Sequence, residues 1–333
     1  MFVSRHFIEN KYVKGRYPLK IRYVDSHKVI IDFNPALMKR TVFLIGNDIN
    51  NATASYSWEN LLKDLTRYAG LKSMPNMLNK PFPLVYEEII LKALVNGTIH
   101  ENDLKKFIAS KVSLLKPNSI HYSIADTDVQ HIFTTNYDCT LENAFNGSIK
   151  QINNIGCIKE VSFSLFRKNK IEKTNFWHIH GLSTHAQSIT LGFEHYGGYL
   201  QHMRNYVVAG TKDTYKSIRF SPLELRIKKN KITHASWVDF FFTHDIEIFG
   251  LNLDVVEVHL WWLLTYRARM KATNKLSITN RIRYFYPKQY EVSSRHKLEL
   301  LKACGVEVVG LPMKDGDRIG YYEKVLKRIR SSK

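Results

Sequence analysis

Residues 131–142 have the sequence HIFTTNYDCTLE, and the turn inside this stretch decides how the fold is interpreted. The apolar run ends at Phe133, and a helix is predicted to begin at Cys139. One Ser, Thr, Asp or Asn side chain is enough to cap a helix. Positions 134–138 instead hold two hydroxyls, an amide and a carboxylate. These polar groups are more than helix capping requires, which indicates that the turn binds something beyond its own backbone.

Predicted strands and helices alternate on both sides of this turn. TVFLIG (41–46) is a continuous apolar run that ends in glycine, as is typical of a buried parallel strand, and DIEIFGL (245–251) is likewise a strand-like segment that reaches a glycine. RIRYFYP (281–287) and VEVVGLP (306–312) continue the alternation, and VSFSLF (161–166) alternates as a strand would. We therefore predict an α/β fold: a Rossmann-like, mostly parallel, doubly wound sheet with helices on both faces and a helical insertion module.

Helical spacing of apolar residues marks the segments between the strands. The predicted helices are 57–70, with Ser57 as a plausible N-cap, 83–97, 101–115, 195–210 and the long apolar segment DVVEVHLWWLLTYRARM (254–270), which Asp254 could cap. Residues 1–40 are predicted to form a basic N-terminal arm. Residues 41–333 are predicted to form a single domain with a helical insertion at about 71–118 and a basic excursion at about 211–240.

Composition excludes several classes of protein. Hydrophobic residues make up 44% of the 333 residues, which is enough for a substantial core. The three cysteines are far apart and form no CxxC, which argues against a disulfide framework and a cysteine-based zinc site and fits a cytoplasmic protein. No apolar run approaches the ~18 residues of a membrane span, and the first twenty residues lack the apolar core of a signal peptide.

The net charge of +19 is the compositional outlier, with basic residues crowded in 1–40, in 212–231 and at the C-terminus. Such charge suits a nucleic acid, an anionic cofactor or an acidic partner, and it equally suits a lysine-rich surface with no partner. No zinc finger, RNP motif or clear recognition helix supports nucleic-acid binding, which stays open but is not favoured.

Four loops follow the predicted strands, and ligands of open α/β sheets bind at such carboxyl ends. They are IGNDIN (45–50), TTNYD (134–138), HIHG (178–181) and FGLNLD (249–254). Taken alone, the first and last could be ordinary turns. His178 and His180 alternate along a strand and point to opposite faces, so they are not expected to share a metal. His180, next to Gly181, is the better candidate for chemistry, and His178 is expected to be structural.

These stretches, in this order, resemble the sirtuin-like (silent-information-regulator) superfamily, and most closely its prokaryotic antiviral-defence branch of NAD-hydrolysing enzymes. The resemblance spans about residues 41–310. It is carried by FLIGNDINNATASYSWENLL, FTTNYDCTLE, HIHG with the following ITLGFEHYGGYL, and SWVDFFFTHDIEIFGLNLDVVEVHLWWLL.

The resemblance implies that Asn136 and His180 are the catalytic pair and that Asp138 supports the ribose or the loop. The residues it implies as contacts of the dinucleotide are Gly46, Asn47, Asn50, Gly250 and Asn252. Asp48 stands where the family commonly has a further glycine. There it would either repel a pyrophosphate or bind a ribose hydroxyl, as acidic residues do in other dinucleotide folds.

The activity implied by the resemblance is that of an NAD+ glycohydrolase, which cleaves NAD+ to nicotinamide and ADP-ribose. Asn136 can orient ribose or water, and His180 can take a proton near neutral pH. NAD+ is then the substrate, and no metal is expected. The three scattered cysteines cannot build the zinc ribbon of protein-deacylating sirtuins, so deacylation is disfavoured.

The same resemblance implies an abortive-infection, anti-phage effector that forms homo-oligomers and is activated by assembly or by a companion such as a HerA-type ATPase. The helix VEVHLWWLLTYRAR and the basic stretch 212–231 are the predicted partner contacts, although the apolar face of that helix is better explained as core. The alternative function is a non-catalytic module that binds NAD, a nucleotide signal or nucleic acid.

Overall fold

The computed structural model describes residues 21–23, 29–31, 40–52, 58–77, 80–97, 99–146, 155–158, 160–212, 214–215 and 218–331. Of the predicted basic arm, only residues 21–23, 29–31 and 40 fall within these ranges, and the predicted N-cap Ser57 lies outside them.

A seven-stranded sheet forms the centre of the fold. The strands of the described residues, of which the last seven form this sheet, are β1 (Ile21–Tyr23), β2 (Val29–Ile31), β3 (Thr41–Ile45), β4 (His131–Thr134), β5 (Asn169–Ile171), β6 (Thr174–His178), β7 (Asp245–Phe249), β8 (Ile282–Pro287) and β9 (Glu307–Leu311). β1 and β2 pair as a separate antiparallel ribbon. The other seven lie in the order β5-β6-β4-β3-β7-β8-β9, and every pair is parallel except β5 with β6. The predicted mostly parallel, Rossmann-like sheet is confirmed.

Helices cover both faces of this sheet. They are α1 (Trp58–Tyr68), α2 (Phe82–Val95), α3 (Glu101–Val112), α4 (Ser119–Ala125), α5 (Thr140–Asn146), α6 (Phe193–Arg204), α7 (Leu223–Lys228), α8 (Trp237–Phe240), α9 (Val258–Ala272), α10 (Arg295–Ala303) and α11 (Arg318–Ser331). Successive residues of β3 alternate between two cores: Val42 packs in the core that contains Leu260 of α9, and Phe43 in the one that contains Val325 of α11. Both faces of the central strand are therefore buried, as expected for a parallel sheet.

Helices α1, α2 and α3 lie between β3 and β4 in sequence and share a third core. Leu65, Ile89 and Ile108, one from each helix, are buried together with Tyr137 and Leu191 of the loops beyond β4 and β6. These helices, two of which lie within the predicted insertion at about 71–118, therefore pack directly against the segments that follow β4 and β6. The predicted boundaries of the domain and of its insertion remain predictions.

The predicted strand VSFSLF is wrong, because a carboxylate folds this segment around itself. One oxygen of Glu160 accepts hydrogen bonds from the Ser164 hydroxyl and from the backbone N–H groups of Leu165 and Phe166. Phe163 has a φ of 55°, in the left-handed region that a strand does not use. Local side-chain hydrogen bonds have replaced the ladder of a sheet here.

The long apolar helix begins later than its pattern suggests. α9 starts at Val258, with Glu257 at its N-cap position, so Asp254 does not cap it. The Asp254 carboxylate accepts the N–H of Val255 instead, at 2.5 Å, within the loop. Glu257 and His259 consequently lie in the first turn of the helix, at the end nearest the loops.

The chain changes direction across the sheet at β3. From β3 it moves outward to β4 and β6, and it then returns to the other side of β3 to form β7, β8 and β9. Such a reversal opens a crevice beyond the carboxyl end of the central strand, because the neighbouring loops leave to opposite sides. The loop after β3 lies at this point.

Composition argues against a membrane span and against a disulfide framework. No helix among the described residues is both long and apolar enough to cross a membrane. Cys139, Cys157 and Cys304 are all free thiols.

Three histidines surround Phe240 beneath the amino ends of the central strands. The rings of His131, His234 and His244 lie 4.4, 4.8 and 4.7 Å from the Phe240 ring between centroids. Burial lowers the pKa of His131 to about 3 and that of His244 to about 4, and repulsion between the imidazoles adds to the effect. These rings stay neutral in the folded protein at pH values where exposed histidines are charged.

We expect the free energy of unfolding to fall as the pH drops from about 6.5 towards 4. The unfolded chain binds protons at these histidines near pH 6.5, whereas the folded protein does not, so acid favours the unfolded state. Each histidine that stays neutral contributes up to about 2 kcal/mol of this loss at pH 5. Urea unfolding at pH 7.5 and 5.0 measures it. His131→Phe should reduce the difference between the two pH values, and the same substitution at exposed His296 is the control. An unchanged difference in His131→Phe would contradict the expectation.

Candidate functional site

A cavity of about 450 Å³ lies at the reversal point, beyond the carboxyl ends of β3, β4 and β7. Its walls come from the loops after these strands, from the start of α2, from Tyr196 of α6 and from the residues just before α9. Five of the nine predicted site residues line it: Asn47, Asp48, His180, Gly250 and Asn252. The other four, Gly46, Asn50, Asn136 and Asp138, do not line it.

Gly46 and Gly250 bring the loops after β3 and β7 into backbone contact. Gly46 N donates to the carbonyl of Phe249 at 3.1 Å, and Asp48 N donates to that of Gly250 at 3.0 Å. Gly250 has a φ of 67°, which favours glycine. A Cβ on Gly46 would lie 2.4 Å from the Gly250 carbonyl oxygen. Packing between the two loops is therefore sufficient reason for a glycine at position 46.

Asn50 and Asp138, 88 residues apart, join the loop after β3 to the loop after β4. The Asn50 amide donates to an Asp138 carboxylate oxygen at 3.0 Å and to the Asn47 side-chain oxygen at 2.8 Å. The other Asp138 oxygen accepts the Thr140 N–H at 3.0 Å and so caps the start of α5. Both residues are buried, and their polar atoms bind other protein groups. Their position supports the loops.

Asn136 does not line the cavity itself but follows Thr135, which does. Its side chain is buried, and its amide nitrogen is 3.5 Å from the Gly46 carbonyl oxygen, the limit of a hydrogen bond. Within the described part of the chain, its Oδ1 has no hydrogen-bond partner. Leaving a buried acceptor without a donor costs free energy, so this oxygen would gain a hydrogen bond from a ligand hydroxyl or a water that reached it.

A buried ion pair holds the backbone of Asn136. His178 Nδ1 donates to the Asn136 carbonyl at 2.8 Å, and His178 Nε2 lies 2.7 Å from a Glu142 carboxylate oxygen. Burial alone would lower the pKa of His178, but the Glu142 carboxylate outweighs it and the net shift is upward. A charged imidazole donates from both nitrogens, as this geometry requires. His178 is therefore structural, as the sequence predicts, and it contacts different groups from those of His180.

His180 meets Glu257 and His259 at the inner end of the cavity. His180 Nε2 lies 3.1 Å from His259 Nε2 and 3.1 Å from a Glu257 carboxylate oxygen. Burial, with a smaller contribution from repulsion by His180, lowers the pKa of His259 well below its usual range. A neutral His259 can accept a hydrogen from His180 Nε2, which leaves a lone pair on His180 Nδ1. The tautomer of one ring is then set by the other.

Asp48 binds two residues of α11 rather than standing as an isolated acid. Arg318 Nε donates to one carboxylate oxygen at 3.0 Å, and the Tyr322 hydroxyl donates to the other at 2.7 Å. Burial and the nearby carboxylate raise the pKa of Tyr322, so its hydroxyl keeps its proton. The expected repulsion of a pyrophosphate by Asp48 is thus reduced by an adjacent guanidinium.

A second cavity of about 390 Å³ continues from the first towards β8 and β9. The two share Asp48, Gly250, Leu251 and Asn252. Its other walls include Tyr286, Tyr290 and Tyr321 together with Lys297 and Arg318. Lys297 donates to the Asn252 side chain at 2.7 Å. The second cavity therefore combines aromatic rings with two cationic side chains.

Three residues at the candidate site, Tyr196, Glu257 and His259, were not predicted from the sequence, whereas Thr135 belongs to the polar turn that the sequence singles out. Glu257 and His259 occur in VEVHLWWLL, where they are the only charged or titratable groups of an apolar run. A buried polar residue in such a run is the informative exception, and it could have identified both.

We expect Gly46→Ala to lower the free energy of unfolding by about 1–3 kcal/mol, because the new methyl group overlaps the backbone of the loop after β7. Gly197→Ala is the matched control. Gly197 lies in α6, and nothing lies within 4 Å of an added Cβ there. The control should gain about 0.5–1 kcal/mol from the higher helix propensity of alanine. Urea unfolding measures both, and equal effects at the two sites would contradict the packing account.

Glu142→Leu should lower the free energy of unfolding by about 3–5 kcal/mol, since it removes one partner of a buried pair and leaves the His178 imidazole without its carboxylate. Glu299→Leu is the control, because Glu299 forms an exposed pair with Arg295 in α10. Its loss should be below about 1 kcal/mol. Thermal and urea unfolding of both variants provide the measurement, and comparable losses would contradict a structural role for the buried pair.

Comparison with known proteins agrees with the motifs. Residues 130–218 match the family model of the SIR2-like domain. This segment includes the loops after β4 and β6 and therefore Asn136, Asp138, His178 and His180. No curated protein matches the chain. The match over this segment supports a relationship to the sirtuin-like superfamily and suggests a function related to NAD.

Proposed function

We propose that the protein cleaves the bond between nicotinamide and ribose in NAD+, releasing nicotinamide and ADP-ribose. The observation that carries this proposal is the placement of His180 in a cavity at the reversal point of the sheet, with a neutral histidine and a carboxylate at its Nε2. The SIR2-like match over residues 130–218 supports NAD as the ligand.

The two connected cavities suit the two halves of a dinucleotide. Binding sites for small molecules have volumes of about 300–1,000 Å³, and the cavities measure about 450 and 390 Å³. We assign the nicotinamide riboside to the first cavity, beside His180. The adenosine half is assigned to the second, where tyrosine rings offer stacking surfaces. Arg318 and Lys297 then lie between the halves and supply positive charge for the pyrophosphate.

The chemistry needs few groups, because nicotinamide leaves as a neutral ring. The C–N bond breaks with both electrons going to the pyridinium nitrogen, and the ribose passes through an oxocarbenium-like state. Water then attacks the ribose carbon and loses a proton. We assign this proton to His180 Nδ1, while Nε2–H remains bonded to His259 and the Glu257 carboxylate stabilises the positive charge that forms.

We assign to Asn136 the orientation of the ribose or of the attacking water. Its unpartnered Oδ1 can accept one hydrogen bond from a hydroxyl or from water. The backbone of Asn136 is fixed by His178, so the amide is positioned before the ligand arrives. Fixed geometry of this kind lowers the entropic part of a barrier.

A second candidate function is the binding of NAD or a related nucleotide without cleavage. Asn136 favours it, because its side chain is buried and does not line the cavity. On this alternative the polar turn after β4 supports the loops, and the cavity holds a ligand as a signal.

We also propose the biological setting implied by the motifs, an anti-phage effector whose NAD cleavage is switched on by self-assembly or by a companion such as a HerA-type ATPase. A constitutive NADase would harm its own cell, which is the reason to expect a switch. The exposed part of α9 and the basic excursion remain the proposed contacts. Trp261 and Trp262 are only partly buried, whereas Leu260, Leu263 and Leu264 lie in the core.

The decisive measurement is NAD+ remaining and nicotinamide released over time with the purified protein. The wild type should consume NAD+, and Asn136→Ala and His180→Ala should reduce the rate by about 10²–10⁴-fold, the usual contribution of positioned proton transfer. His185→Ala and Asn96→Ala are the controls, because both residues are exposed and lie outside the cavity. The controls should keep the wild-type rate.

If the purified wild-type protein does not consume NAD+, the assay is repeated with phage lysate and with the protein product of a neighbouring gene. Cleavage that appears only then supports the gated enzyme. NAD+ binding that persists in Asn136→Ala, with no nicotinamide release under any of these conditions, contradicts cleavage and supports the binding function. If the ligand is a nucleic acid instead, binding of that nucleic acid to the protein should weaken steeply as the salt concentration rises.

A further inference from the structure

We propose that His180, Glu257 and His259 form a binding site for a divalent transition-metal ion such as zinc, and that occupancy of this site inhibits the protein. The inhibitory part rests on the proposed NAD cleavage, whereas metal binding stands independently of it. This site differs from the sequence-based expectation of no metal. That expectation concerned only cysteine ligands and the His178–His180 pair.

The three donor atoms lie close enough together to share one ion. His180 Nε2 lies 3.1 Å from both His259 Nε2 and the nearer Glu257 oxygen, and the remaining separation, between His259 and Glu257, is 4.0 Å. Zinc binds nitrogen and oxygen at about 2.0–2.2 Å, which places tetrahedral ligands about 3.3 Å apart. An ion between the three atoms therefore requires movements of only some tenths of an ångström.

Hydrogen bonds among these three side chains do not satisfy all of them. Only one hydrogen can lie between the two Nε2 atoms, and it serves a single acceptor. In the described part of the chain, the Glu257 oxygen near His180 has no aligned donor. A metal ion accepts a lone pair from each of the three groups at the same time, and it removes the conflict between the two ring nitrogens.

Charge and burial point the same way. His180 and His259 are 2% and 0% exposed and Glu257 is 9% exposed, so the carboxylate is removed from most of its solvation. Its only ion-pair partners among the described residues are the same two histidines, neither of which carries a permanent charge. A buried carboxylate without a full counter-charge is costly, and a divalent ion supplies that charge.

The ligand set determines the class of metal. Two imidazoles and one carboxylate suit zinc and neighbouring transition metals, whereas magnesium and calcium prefer shells made of oxygen. A three-ligand site leaves a fourth position for water or a ligand. The site opens into the cavity through His180 and Glu257, which line it, so the ion can enter from there.

Metal binding and the proposed base use opposite states of the same ring. A metal on His180 Nε2 replaces the hydrogen there, and the neutral imidazole then carries its hydrogen on Nδ1. That nitrogen has no lone pair left for a proton. Zinc is therefore expected to stop NAD cleavage without occupying the place of the nicotinamide ring.

The first test measures zinc binding directly. The full chain is stripped with a chelator and titrated with Zn²⁺ against a chromophoric competitor, and bound metal is counted by elemental analysis. We expect one tight site per chain, with Mg²⁺ unable to compete. His259→Phe and Glu257→Gln should each weaken it by more than about 100-fold, since even changes outside the ligands cost 10–100-fold.

Three controls separate this site from adventitious binding. His185→Ala and Cys157→Ser remove an exposed histidine and an exposed thiol and should leave the tight site unchanged. Urea unfolding of the two ligand variants without metal shows whether they fold. A wild type without a tight site, or folded ligand variants that bind zinc as the wild type does, overturns the proposal.

The second test follows NAD+ loss while zinc is added and then removed by a chelator. Inhibition that is proportional to occupancy of the tight site and reversed by the chelator supports the switch. Full site occupancy with unchanged NAD+ loss overturns the inhibitory part. A protein that binds zinc at this site but never cleaves NAD+, with or without the chelator, contradicts the proposed function and leaves the metal site standing.

Discussion

The close contact between the backbones at Gly46 and Gly250 is the constraint on which the site depends. It ties the loop after β3 to the loop after β7 through two backbone hydrogen bonds. Asp48 and Asn252 on these loops then face a common space, the boundary between the two cavities. A side chain at position 46 would separate the loops and open the floor of that space. The two glycines have a packing role whether or not a phosphate ever approaches them.

Two histidines separated by one residue illustrate how environment assigns opposite tasks to one side chain. His178 is paired with Glu142 behind the site, where charge and two hydrogen bonds fix the turn that carries Asn136. His180 lies at the cavity, where its neighbour His259 is kept neutral by burial. The His178–Glu142 pair supports the loop after β4, whereas His180, which contacts His259, lines the cavity. Each pair depends on one buried carboxylate, Glu142 in the first case and Glu257 in the second.

The sheet could be predicted because its signals are local, and the same signals predict a candidate site at its carboxyl edge. Apolar runs ending in Gly46 and near Gly250 mark buried parallel strands, and the polar loops after them must share one edge. VSFSLF was wrong because alternation cannot reveal that the Glu160 carboxylate binds its backbone. Glu257 and His259 were missed because an apolar run suggests core, and the later start of α9 became visible only in the fold. The partners of Asp48 were beyond prediction, since contacts across 270 residues leave no pattern along the chain.

The contact of Asp48 with α11 has a consequence for the order in which the site is assembled. A ribosome releases the loop after β3 early, whereas Arg318 and Tyr322 follow 270 and 274 residues later. Until they dock, the carboxylate at the boundary of the two cavities has neither its guanidinium nor its phenol. The nascent chain can therefore complete the sheet around β3 well before the cavities acquire their final charge. Docking of α11 therefore completes the charge of the site, and a chain that stalls before α11 carries an unfinished site.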